Sequence, residues 1–192
     1  MLRLLITVLI ILYPDVVFCQ PVNFNKPVQQ AGIINKKRVA AIKGKPVAFY
    51  LAHPKIDSES KRFYKGEIAL KSDLGNCTFL DSLYTDNSET RPFYFFILNT
   101  IIDLSANPGD EKLSDNCLLY IEKFPCEFFG DLDNPGTEIN VVKWTNYVGL
   151  RMSNPQIHVR FRNAVDQKLT SCSQYSDLWR SFYSEARKCI IR

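Results

Sequence analysis

The sequence predicts a mainly β domain that ends in one amphipathic α-helix. From Pro46 onward, short runs of aromatic and β-branched residues are separated by turn residues, as in antiparallel sheets. Between Ser171 and Cys189, apolar residues recur with helical spacing. We therefore expect about seven successive strands, forming an antiparallel meander or barrel, followed by a helix that disulfides tether to the strands.

The chain begins with the features of a secretory signal peptide over residues 1–19. Arg3 precedes the apolar run of residues 4–12, and Val17-Phe18-Cys19 suits signal peptidase. The apolar run is too short for a membrane anchor, and no later segment is long enough to span a bilayer. The sequence thus predicts a secreted, extracellular protein without a membrane span. In that setting Asn76, in Asn-Cys-Thr, is a candidate glycosylation site.

Two regions are expected after the signal peptide. Residues 20–45 form an irregular, basic segment, in which Lys36-Lys37-Arg38 is a candidate cleavage site. This segment is a cleavable pro-segment, a polyanion-binding arm or a solvated extension, and we favour the extension. Residues 46–192 are long enough for a single β-rich domain with a proper core and the C-terminal helix.

The expected strands follow one another with short links. Residues 92–104 are apolar on both faces, so they form a central strand or a buried helix, and their Phe, Tyr and Ile content favours a strand. Residues 142–152 and 157–162 alternate between apolar and polar positions and predict a hairpin. The seven candidate strands are residues 47–52, 63–70, 77–84, 92–104, 117–129, 142–152 and 157–162.

The C-terminal helix carries one wide apolar stripe formed by Tyr175, Leu178, Trp179, Phe182, Tyr183 and Ala186. Ser171 and Gln174 resemble a capping box. A helix of this length holds Cys172 and Cys189 about 25 Å apart, which is too far for a disulfide. Each cysteine is therefore expected to bond to the body of the protein.

Five cysteines remain after the signal peptide: Cys77, Cys117, Cys126, Cys172 and Cys189. Spacing leaves most of the possible pairings open. An odd number leaves at least one cysteine over, either as a buried free thiol, which we favour, or in an intermolecular bridge.

The Asp115-Asn116-Cys117 segment, the strand around Trp144, and the Cys172 and Cys189 bracket resemble features of secreted lipocalins, particularly the divergent arthropod salivary type. The resemblance implies a β-barrel that holds a small ligand. It also implies that Cys77 pairs with Cys189 and Cys117 with Cys172, leaving Cys126 unpaired.

Catalytic residues are scarce in this chain. His53 and His158 are its only histidines, and no nucleophile, metal-protease or phosphate-loop motif is present. We therefore expect a protein that is not an enzyme and needs no metal or cofactor. Nucleic-acid binding is not expected either, because of the secretory signal.

Two functions fit these observations. The first is a carrier or sequestering protein for a small apolar or amine ligand, lined by Phe49, Phe79, Phe95, Tyr120, Trp144 and Val159. The second is a protein-interaction module, such as an immune modulator or antagonist. It would bind an acidic protein or glycosaminoglycan through a cationic sheet face formed by Lys143, Arg151, His158, Arg160 and Arg162.

Overall fold

A computed structural model describes residues 39–67, 82–84, 87–105 and 109–190, and this part of the chain is mainly helical. Its only sheet is a two-stranded antiparallel hairpin, β1 Ala41–Ile42 and β2 Lys45–Pro46. The α-helices are α1 Val47–Ala52, α2 Ser58–Lys65, α3 Arg91–Leu104, α4 Glu111–Lys123, α5 Pro125–Asp133, α6 Val141–Met152, α7 Pro155–Leu169 and α8 Ser176–Lys188, and a 3₁₀ segment at Thr170–Tyr175 precedes α8.

The predicted meander or barrel of seven strands is wrong. Residues 47–52 form α1, residues 92–104 lie in α3, residues 117–129 span the end of α4 and most of α5, and residues 142–152 and 157–162 lie in α6 and α7. Of the predicted strand 63–70, residues 63–65 end α2, and most of the predicted strand 77–84 lies outside the described residues. The resemblance to lipocalins is also wrong, because a β-barrel defines that family and the described residues form none.

Helical spacing, and not alternation, decides which side of α6 is buried. Trp144, Tyr147, Val148 and Met152 are buried, at i, i+3, i+4 and i+8. The strand interpretation placed Val142 on the same apolar face, but its side chain is 59% exposed. Val159 in α7 is exposed to the same extent. A few apolar residues of this helix are an even number of positions apart, so their pattern resembled that of a strand. The buried residues nevertheless form one continuous helical stripe.

Short polar residues and prolines begin several of the helices. The side chains of Asp57, Asp110, Asn140 and Asn154 each accept a hydrogen bond from a backbone N–H in the first turn of α2, α4, α6 and α7. Pro155 follows Asn154 at the first position of α7, where a missing N–H costs nothing. The link between the predicted strands 142–152 and 157–162 is therefore the start of a helix and not a hairpin turn.

The core is built from aromatic side chains around α6. Trp144 is fully buried, and its ring lies 4.8 Å from Phe128 of α5 and 5.9 Å from Phe95 of α3, centroid to centroid. Phe128 in turn packs edge-on against Phe182 of α8 at 5.4 Å. Offset and edge-to-face aromatic pairs of this kind add about 1 kcal/mol each to the effect of burial. The aromatic rings thus join four helices.

The predicted C-terminal amphipathic helix is present as α8, although it begins later than Ser171. The 3₁₀ segment separates it from α7, and Cys172 lies at a kink with φ −144° and ψ 54°. The predicted capping box is not formed: Ser171 Oγ donates to the Lys168 carbonyl, and Tyr175 at the N-cap makes no side-chain cap bond. Trp179, Phe182 and Ala186 are the buried residues of the stripe.

A disulfide between Cys126 and Cys172 ties the 3₁₀ segment that precedes α8 to α5. This pairing replaces the Cys117–Cys172 bridge that the lipocalin resemblance implied, and Cys126 is not the unpaired cysteine. Cys117 is a buried free thiol in α4, and burial raises its pKa well above its ordinary value. Cys189 lies beside Asn146, with Sγ 3.0 Å from Oδ1. Cys77 and Asn76 lie outside the described residues.

Among the helices in the described part of the chain, none combines the length and apolar character needed to cross a bilayer. The predicted signal peptide, residues 1–19, and most of the basic segment, residues 20–38, lie outside the described residues.

Gly149 allows α6 and α8 to approach closely, and we expect Gly149→Ala to destabilise the protein by about 2 kcal/mol. A Cβ at this position would lie 2.4 Å from the Ala186 carbonyl oxygen and 2.8 Å from Cβ of Cys189. The free energy of unfolding in urea measures the effect. Gly130→Ala is the control, because its Cβ would meet only the end of the Tyr175 side chain, at 3.1 Å. Equal stabilities of G149A and wild type would contradict the close packing.

Removal of the Cys126–Cys172 disulfide is expected to cost about 4 kcal/mol, because the bridge closes a segment with a sequence separation of 46. The double variant C126S/C172S should show this loss in urea unfolding, and reduction of the wild type should reproduce it. Cys117→Ser serves as the cysteine control, and its response to reduction should equal that of the wild type. A C126S/C172S variant as stable as the wild type would show that the bridge does not hold α8.

Candidate functional site

The predicted ligand-lining residues do not enclose one cavity. Phe95, Tyr120 and Trp144 come together, but they are buried in the core, where the Phe95 and Tyr120 rings stack at 4.8 Å. Phe49 and Val159 are exposed on α1 and α7. Phe79 lies outside the described residues. Of this set, Phe95 also lines the cleft described below.

The predicted cationic sheet face does not exist as a sheet, because its residues lie on α6 and α7. Arg151 Nε lies 2.6 Å from Asp115 Oδ1, and Lys143 Nζ donates to the Ser105 carbonyl at 3.1 Å. Both cations therefore face acceptors on neighbouring parts of the fold. They are not presented together on a free surface.

The α7 members of the set are also divided. His158 and Arg162 are four residues apart and share one side of α7, where both lie against Tyr183 of α8. Arg160 lies on another side and pairs with Glu122 at 3.3 Å. Burial, and then the positive charges of Arg187 and Arg162, lower the pKa of His158. These contacts give the protein-interaction hypothesis no specific support.

A cleft of about 340 Å³ lies between the β1–β2 hairpin, α3, the end of α5 and the loop that follows α5. It has an apolar side and a polar side. The apolar residues are Val39, Ala41, Ile42, Pro92, Phe95 and Phe96, and the polar ones include Lys43, Asn99, Thr100, Asp131, Thr137 and Glu138. Sites for small molecules combine these two kinds of surface in volumes of similar size.

Asp131 is the most unusual polar residue of the cleft. It lies in the last turn of α5, and its side chain is only 7% exposed. Lys43 Nζ lies 2.8 Å from Oδ1, whereas Oδ2 has no hydrogen-bond partner among the described residues. Buried carboxylate oxygens are nearly always paired, so the buried and unpaired Oδ2 sets Asp131 apart from the other polar groups of the cleft.

The environment of Asp131 opposes its negative charge. Burial raises the pKa of the carboxyl above its ordinary value, the Lys43 ammonium counteracts this, and the negative charge of Glu127 adds to the rise. The last turn of a helix is the negative end of the helix dipole, which further destabilises the ionised carboxylate. A carboxylate in this position favours an additional cation or hydrogen-bond donor.

The hairpin brings Lys43 to this carboxylate through a two-residue turn. Lys43 and Gly44 have φ values of 47° and 75°, the conformation of a type I′ turn, in which a lysine at positive φ is uncommon. The hydroxyl of Tyr50 donates to the Ile42 carbonyl at 3.1 Å, and that of Tyr64 donates to the Val39 carbonyl at 2.9 Å. These two bonds fix the hairpin beside α3.

Asn99 joins the cleft to the core. Its side-chain amide donates to the Glu138 carbonyl at 2.7 Å, which holds the loop at the rim of the cleft. Its Oδ1 accepts from Trp144 Nε1 at 2.9 Å. The indole of Trp144 therefore contacts two residues that line the cleft, Asn99 and Phe95. It is a natural fluorophore close to the site.

Sequence reasoning missed Lys43 and Asp131. Lys43 was assigned to the basic extension, and Asp131 was assigned no role. The Lys43-Gly44 pair between the short apolar segments of the hairpin was a usable turn signal, whereas the contact with Asp131, which is remote in sequence, was not.

Comparison of the chain with protein-family models, with curated proteins and with solved structures finds no match. Within the described residues, no three side chains of His, Cys, Asp or Glu lie together as potential metal ligands. The candidate site therefore rests on the geometry of the cleft.

The raised pKa of Asp131 predicts a pH dependence that Asp131→Asn should remove. The folded state binds the Asp131 proton more tightly than the unfolded state, whose carboxyl titrates near the ordinary value of 3.8. The contribution of this group to stability is therefore greatest below pH 3.8 and is lost as pH rises through the folded-state pKa. Urea unfolding of the wild type and D131N across this pH range measures their free energies of unfolding. The wild-type value minus the D131N value should fall as pH rises. A value that stays constant or increases with pH would contradict the raised pKa of Asp131.

Proposed function

We propose that this protein is secreted and non-enzymatic, and that it binds and carries or sequesters a small ligand in the cleft between the hairpin and α3. The observation that carries the proposal is the buried Asp131 carboxylate, whose Oδ2 has no partner among the described residues, at the wall of a partly apolar cleft. The apolar side would hold the body of the ligand, and Asp131 would accept a hydrogen bond from it.

The composition of the cleft supports binding over catalysis. Among the described residues, its lining includes no histidine, cysteine or serine, and its polar side chains are one lysine, two carboxylates, two threonines and one asparagine. The asparagine already bonds to Trp144 and to the Glu138 carbonyl, and Thr100 Oγ1 donates to the Phe96 carbonyl. These groups orient a ligand, but they provide no nucleophile with an adjacent general base.

Two features support secretion as part of this proposal. Residues 1–19 have the composition of a signal peptide. The Cys126–Cys172 disulfide suits an oxidising compartment, where such bridges form and persist.

Filling the cleft should weaken binding. Ala41 and its neighbour Ala40 are both exposed, but only Ala41 lines the cleft. We expect Ala41→Phe to weaken binding of 2-phenylethylamine and 2-phenylethanol at least about tenfold, because the new ring occupies the space of the apolar side. Ala40→Phe is the matched control and should bind like the wild type. Calorimetry and ligand-detected NMR measure both. Equal binding by A41F and the wild type would place the site elsewhere.

A further inference from the structure

The charges that line the cleft sum to a negative value. Asp131 and Glu138 contribute two carboxylates, and Lys43 is the one cation among the described lining residues. Glu127 extends the negative field toward Asp131. The Arg91 guanidinium binds the Glu127 carboxylate through two hydrogen bonds and offsets most of this field, so the negative balance rests on Asp131 and Glu138 against Lys43 among the described lining residues. A cationic ligand is therefore favoured over a neutral one, and an anion is disfavoured.

Lys43 is a replaceable partner for Asp131. Its side chain is 37% exposed, and it reaches the carboxylate from a two-residue turn by a flexible four-carbon stem. Its ammonium contacts Oδ1 and leaves Oδ2 unused. Oδ2 is itself buried, but an ammonium that displaced Lys43 and was free of the constraint of the turn carries three donors, enough for both oxygens. The Lys43 contact is thus geometrically incomplete.

The remaining wall suits the carbon skeleton of an amine. Phe95 and Phe96 line the cleft from α3, and Ile42 lines it from the hairpin. Aromatic rings attract a nearby ammonium in addition to packing against an apolar group. A carboxylate ligand would instead face Asp131 and Glu138.

We propose that the ligand is a small primary amine with an aryl or alkyl body, and that the Lys43 ammonium is a tethered competitor for its place on Asp131. This inference rests on the proposed function, since it assigns a ligand class to the same cleft. Binding exchanges one ammonium for another at the carboxylate and releases the Lys43 side chain to water. Removal of the tethered ammonium should therefore strengthen amine binding, although it also removes an ion pair of the free protein.

The test compares an amine with its neutral isostere on the full-length chain. The probes are 2-phenylethylamine and 2-phenylethanol, which share a body and differ in charge. The proteins are the wild type, Lys43→Met, Asp131→Asn and the control Lys45→Met, whose residue pairs with Glu89 outside the cleft. Calorimetry at neutral pH and low salt gives the dissociation constants, and Trp144 fluorescence provides a second readout.

The expected result is selective for the amine. Relative to the wild type, K43M should raise the ratio of 2-phenylethylamine affinity to 2-phenylethanol affinity about tenfold, equivalent to about 1.4 kcal/mol. D131N should lose its preference for the amine over the alcohol. K45M should match the wild type for both probes.

Other outcomes separate the two proposals. If both probes bind the wild type equally and K43M changes neither, the assignment of an amine is overturned while the binding cleft stands. Amine binding that D131N weakens but K43M leaves unchanged overturns the competitor role of Lys43. If neither probe binds the wild type or K43M, the proposed function and this inference both fail.

Discussion

The hydrogen bond between Trp144 and Asn99 connects the aromatic core to the cleft. Trp144 of α6 is fully buried against rings from α3 and α5, and an indole N–H in such surroundings needs an acceptor. Asn99 supplies that acceptor and uses its amide to hold the loop that forms one rim of the cleft. The same side chain therefore satisfies the core and shapes the site, so the position of the loop is fixed by the packing of the aromatic cluster.

The site itself depends on an imperfect ion pair. Lys43 keeps the Asp131 carboxylate from being an uncompensated buried charge, which would cost several kcal/mol. It does so from an exposed turn and with one oxygen left over. Complete satisfaction of Asp131 by the protein would leave nothing for a ligand to gain. Incomplete satisfaction keeps the fold intact and would leave a driving force for the binding proposed above.

The sequence allowed prediction of α8 but not of the helical fold around it. The α8 stripe repeats over several turns with charged residues opposite, and no strand pattern imitates that. In α6, by contrast, Trp144, Val148 and Met152 are spaced for a helix and also fall at even positions, so exposed Val142 and Leu150 completed a false alternation. Aromatic and β-branched content then added to the error, because those residues prefer strands only when packing does not decide otherwise. Asp131 and Lys43 are far apart in the sequence and come into contact only in the tertiary structure, so no local sequence pattern predicts this contact.

Val39, the first of the described residues, lies at the rim of the site. It lines the cleft, and its carbonyl accepts a hydrogen bond from Tyr64. Proteolysis after Lys36-Lys37-Arg38 would make Val39 the N-terminal residue, with a new α-ammonium, largely protonated at neutral pH, beside a negatively charged cleft. Proteolytic maturation would then change the electrostatics of the site without altering any residue within it, and N-terminal sequencing of the mature protein reveals whether that group exists.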